Sequence, residues 1–116
     1  MNNASRIIAV ASLGLLGGCV SQPQSLYHWN AYQDQVYAHF QGDNSSPQEQ
    51  VAALEASLQE ARAKDRPLPP GFHAHLGMLY AELGKADQVH QEFETEKALF
   101  PESAPYMDLL LNNAKK

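Results

Sequence analysis

The side chains best suited to chemistry in this chain are its five histidines, two of which stand close together in His73-Ala74-His75. Imidazole is a common metal ligand and a common general base near neutral pH. Zinc needs three or four donors converging at about 2.0–2.3 Å, and residues two apart on a helix point roughly 200° apart. His73 and His75 therefore do not readily share an ion, and His90 with Glu94 would supply only part of a ligand set. The expectation is that the histidines pack at a seam between helices with a polar edge exposed. The acids Glu92, Glu94 and Glu96 form a second candidate, since paired carboxylates do acid–base work at glycosidic bonds. With Lys97 beside them on one helix they read as a solvated face. No serine sits in a Gly-x-Ser-x-Gly turn. No catalytic residue, no metal ligand and no cofactor is assigned, and an enzyme is not expected.

Composition narrows the classes further. The chain has 116 residues, 44% of them apolar, with 13 Asp and Glu against 8 Lys and Arg and a net charge of −5. That balance repels a phosphate backbone, so nucleic acid is not an expected partner. No apolar run reaches the ~20 residues that span a bilayer. The single cysteine excludes an internal disulfide. The length suits one small domain with a modest core.

The N-terminus looks like an address. Residues 1–18 carry one positive charge at Arg6, an apolar run from Ile7 to Leu16, and small residues before Cys19. This is the plan of a signal peptide. The tetrad Leu16-Gly17-Gly18-Cys19 resembles the lipobox of bacterial lipoproteins, which implies cleavage before Cys19 and covalent acylation of its sulfur and amino group. Several acyl chains make such an anchor stable. An acylated Cys19 is also unavailable as a thiolate nucleophile. The mature chain would have 98 residues and a net charge of −6. Val20 follows the cysteine where enterobacteria use aspartate as an inner-membrane retention signal, so the expected location is the periplasmic face of the outer membrane. Residues 19–25 then form the lipidated cysteine and its tether, and residues 26–116 the folded domain.

The rest of the chain reads as all-α. Leu26, Trp29, Tyr32 or Gln33, Val36 and Phe40 mark one helical face, with Ser25 able to cap its start. Gly42-Asp43-Asn44 breaks that helix. Ser46-Pro47-Gln48-Glu49 opens the next one as a capping box with proline in the first turn, and its stripe is Val51, Leu54, Leu58 and Ala61. Pro67-Leu68-Pro69-Pro70-Gly71 ends it by Arg66. Phe72, Leu76, Leu79, Tyr80 and Leu83 mark a third helix closed by Gly84, and Val89, Phe93 and Phe100 a fourth closed by Pro101. A fifth is expected from Ser103, burying Tyr106, Leu109 and Leu110. No segment alternates long enough to argue for a strand.

The run His73–Pro101 resembles a tetratricopeptide repeat, with Leu76-Gly77, Tyr80, Gly84, Phe93 and Pro101 at the repeat's spacings. Val89 stands in place of the usual alanine, and Glu96 where a small residue is common. The first helix pair, opened by Trp29 and Tyr32, fits more loosely. The blocks 69–77 and 96–103 are similar to a family of small proteobacterial lipoproteins whose domain has no assigned function. That resemblance implies a role in a cell-envelope assembly, since its members tend to be encoded beside a lipoprotein related to the curli secretion channel. If the first helix of each pair lines a concave groove, Tyr27, Asn30, Asp34 and Tyr37 face it, followed by Ala74, Met78 and Glu82. The expected function is a non-enzymatic adaptor or pilot lipoprotein that binds another envelope protein. The alternative is a binder of a small molecule, lipid or peptidoglycan fragment in the helical groove.

Overall fold

The computed structural model describes residues 21–42 and 45–114. The expected signal peptide and Cys19 lie outside them. Five α-helices follow one another: α1 Tyr32–Gln41, α2 Pro47–Ala63, α3 Phe72–Glu82, α4 Ala86–Leu99 and α5 Ala104–Ala114, with a short 3₁₀ turn Pro101–Ser103 before the last. The described residues contain no strand, and none of their helices is long and apolar enough to cross a membrane.

Local chemistry explains most boundaries. Ser46 and Glu49 form the reciprocal capping box: the Glu49 amide donates to Ser46 Oγ at 3.3 Å, and the Ser46 amide donates to Glu49 Oε2 at 2.9 Å. Gly84, at φ +70°, ends the third helix in the left-handed conformation that glycine adopts without a Cβ penalty. The first helix departs from expectation. It begins at Tyr32, not near Leu26. The cause lies in tertiary contacts of the preceding segment: the His28 amide donates to the Pro67 carbonyl at 2.8 Å, and Asn30 takes φ +33°, which no helical residue adopts. Ser25 caps no helix there and instead donates to the Tyr27 carbonyl. Leu26 and Phe40, read as buried, are 72% and 76% exposed.

The core lies between α2, α3, α4 and α5. Leu54, Phe72, Leu76, Leu79, Phe93 and Met107 are buried, and Gly77 lets α4 approach α3. A Cβ on Gly77 would stand 2.5 Å from the Phe93 ring, so only glycine permits this crossing. The α2 stripe is as expected at Val51, Leu54 and Ala61, and the α5 stripe is rotated from the sequence reading. On α2, Ser57 is buried while Leu58 is only partly so. On α5, which starts at Ala104 after the 3₁₀ turn, Met107 and Leu111 face inward. Tyr106 and Leu109 are more than half exposed, and Leu110 is half-buried. Lys97 on α4 pairs with Asp108 at 2.6 Å and fastens the last helix from outside. That hydrogen bond, more than any other influence, holds the Lys97 ammonium above its ordinary range.

Candidate functional site

The start of α3 is where the polar side chains converge. Gly71 precedes it at φ +91° and offers no side-chain cap, so the first amides of the helix need acceptors from elsewhere. Glu96, on α4, supplies them. Its Oε1 accepts from the Gly71 amide at 2.7 Å and its Oε2 from the Ala74 amide at 3.4 Å. The side chain that sequence placed on a wet face is thus among the most completely buried in the protein, at 1% exposure. A carboxylate at a helix N-terminus also meets the positive end of the helix dipole. The Tyr32 hydroxyl closes over the same turn, 2.6 Å from where a Gly71 Cβ would be. Burial, and then the charge of Glu96, push the Tyr32 phenol above its ordinary value.

The two histidines of α3 diverge, as their spacing requires. His73 turns toward α4, where its Nδ1 meets Glu92 Oε2 at 2.6 Å with both side chains largely buried. It is Glu92, not His90 or Glu94, that reaches His73. His75 turns toward α1, with its ring 5.2 Å from His39 and 6.3 Å from Tyr32, centroid to centroid. Its Nε2 is buried without a hydrogen-bond partner. Burial, helped by the nearby His39, lowers the His75 pKa from 6.5 to about 4. Among the described residues no three His, Cys, Asp or Glu side chains gather as a metal site.

The seven residues expected along one groove separate into three places. Tyr27 and Asn30 belong to the segment before α1, which is pinned to the end of α2. Asn30 donates to Glu60, and the Arg66 guanidinium donates to the carbonyls of Ser25 and Tyr27. The hydrogen bond from Lys64 is the main cause that keeps the Glu60 carboxyl below its ordinary value. Asp34 and Tyr37 lie on α1, which turns Tyr32 and His39 toward α3. At 100° per residue they fall some 140–200° around the helix from Tyr32, on its outer side. Ala74 and Met78 are half-buried on α3. Glu82, at the end of that helix, stands 3.8 Å from His39 Nε2. The structure brings Glu82 to α1 but does not bring Asp34 and Tyr37 to α3.

Residues 26–110 match the model of a family described as a domain of unknown function, DUF4810. The chain belongs to that family. Nothing among the curated proteins and nothing among the solved structures matches it. The match covers all five helices except the end of α5, so the Glu96 cap and the His73–Glu92 pair are features of this chain inside the DUF4810 region.

Sequence reasoning missed two things in this region. Glu96 was visible as an acid where the repeat that this run resembles commonly has a small residue, and that departure was the available signal. The outward face of α1 gave no separate signal, because Phe40 fits an apolar stripe equally well.

Proposed function

We propose that this protein is a lipoprotein, anchored through Cys19 at the periplasmic face of the outer membrane, that acts as a non-enzymatic adaptor for another envelope protein. A pilot or accessory role in a secretion complex built on a channel like the curli exporter is its specific form. The observation that carries this reading is the outer face of α1. No residue of that helix is buried, and Gln33, Asp34, Tyr37, Phe40 and Gln41 are all exposed, with Tyr37 at 68% and Phe40 at 76%. Two aromatic side chains one turn apart, flanked by amides and a carboxylate, have the composition of a recognition surface.

The helix pairs are read as tetratricopeptide-like, supported by Gly77 under Phe93, by the turn at Gly84 and by Pro101 after α4. Such repeats present helix faces to partner proteins. Lipidation would confine the protein and its partner to one surface, which raises their effective concentration without any new contact. Photo-crosslinkers placed at Tyr37 and Phe40 in envelopes test the adaptor role. One dominant envelope protein should be captured there and not from Asp87, an exposed position on α4. Equal capture from all three positions overturns the reading. Cys19→Ala should release the protein from the outer membrane, and continued fractionation there would sink the anchor.

A further inference from the structure

A cavity of about 260 Å³ lies where the segment holding Tyr27 crosses the ends of α2 and α4. Leu58, Leu68, Leu99 and Phe100 give it mostly apolar walls, and Tyr27 closes one side. Tyr27 meets Phe100 edge-on, with ring centroids 6.4 Å apart. The polar groups of the lining are basic: Arg62, Arg66 and His73. Among the described residues neither arginine forms an ion pair. The Arg66 guanidinium donates to the neutral carbonyls of Ser25 and Tyr27. The His73 Nδ1 is taken by Glu92, and its Nε2 has no hydrogen-bond partner among the described residues. In a chain of net charge −5, the two arginines are positive charge without a carboxylate partner among the described residues, set beside an apolar hole.

We propose that the cavity receives the C-terminal residue of a partner polypeptide, an apolar side chain with its free carboxylate on the arginines. The volume falls below the ~300–1,000 Å³ of sites that enclose a whole small ligand, and it suits one side chain. Guanidinium forks match a carboxylate with two parallel hydrogen bonds. Only a C-terminal residue carries an apolar side chain and a carboxylate on the same carbon, which places one in the hole while the other reaches its rim. This deepens the adaptor reading, on which it rests, by naming the part of the partner that is held.

The test uses the purified full chain, with Trp29 as reporter. It is the sole tryptophan, and its ring lies 6.2 Å from that of Tyr27. Three probes are titrated: an acetylated pentapeptide ending in phenylalanine with a free carboxylate, the same peptide as its C-terminal amide, and octanoate. The acid peptide should bind at least tenfold more tightly than the amide. Arg62→Gln should reduce that difference several-fold while the circular dichroism spectrum stays unchanged, because Arg62 is exposed. Leu99→Asp, at a wall position 54% exposed, should weaken both peptides. Equal binding of acid and amide, no binding by either, or no effect of Arg62→Gln overturns the proposal. Tighter binding of octanoate than of the acid peptide also overturns it, in favour of an acyl-chain site. Capture of a partner from envelopes is a separate measurement, so failure of the adaptor reading and failure of this site are told apart.

Discussion

The α3–α4 hairpin and the α1 region use opposite means to stay in place. In the hairpin, apolar side chains interlock around Gly77 and Phe93, and the buried Glu96 and His73, with half-buried Glu92, are aimed at one another's elements. α1 buries nothing completely. Together with the segment before it, the helix is held by a few polar contacts and by aromatic edges on its inner side: His28 to Pro67, Ala31 to Ser57, Asn30 to Glu60, and Tyr32 beside Phe72 and His75. Folding energy is therefore concentrated in one part of the molecule, and exposed aromatic surface in the other. A helix attached on one side only keeps a face for something else.

That contrast breaks most visibly at Glu96. Glu96→Ala leaves two amides at the start of α3 without their acceptor inside the fold and should cost about 3 kcal/mol, read by urea denaturation. A loss under about 1 kcal/mol would mean that water reaches this turn and that the cap is not structural. Next comes Gly77→Val, which drives a branched side chain into the Phe93 ring and should cost about 2 kcal/mol, in the usual range for overpacking.

Acid should loosen the α1–α3 contact selectively. His75 has a folded pKa of about 4 against an ordinary 6.5, so the unfolded chain binds more protons between those values. The stability it contributes is complete above about pH 6.5 and falls as pH drops toward 4. The neighbouring groups from α1 are His39 and Tyr32, and Glu82 faces His39 from α3. Melting temperatures measured across this window should decline less in His75→Phe than in the parent; parallel slopes would remove His75 as the cause.

The smallest expected effect sharpens the comparison from the other side. Tyr37→Ser combined with Phe40→Ser should change stability by less than about 0.5 kcal/mol, as exposed substitutions do, while capture of the proposed envelope partner by a crosslinker at exposed Gln33 falls several-fold. If this pair instead destabilises the fold by 2 kcal/mol or more, α1 belongs to the core and the division proposed here is wrong.

Much of the fold was legible because the signals are local. The Ser46 capping box, the proline-rich joint, Gly84 and Pro101 each act within a few residues, and the helices begin and end where those residues require. The candidate site was less legible because its geometry depends on contacts distant in sequence. Nothing within residues 26–31 reveals that Pro67 will hold the His28 backbone out of a helix. The alternation of Glu92, Glu94 and Glu96 gives no hint that the uncapped end of α3 lies against the last of them.

By itself the sequence determined the helical class and five elements of the described residues, the glycine at the α3–α4 crossing, and the divergence of His73 from His75 through the period of the helix. Tertiary structure alone decided which acid is buried, where the first helix starts, and which aromatics remain outside. The physical reason is one of range. Caps, turns and helical periodicity are settled within about four residues. A buried carboxylate or a pinned backbone segment is settled by the partner that happens to lie across the fold, here Gly71 for Glu96 and Pro67 for His28.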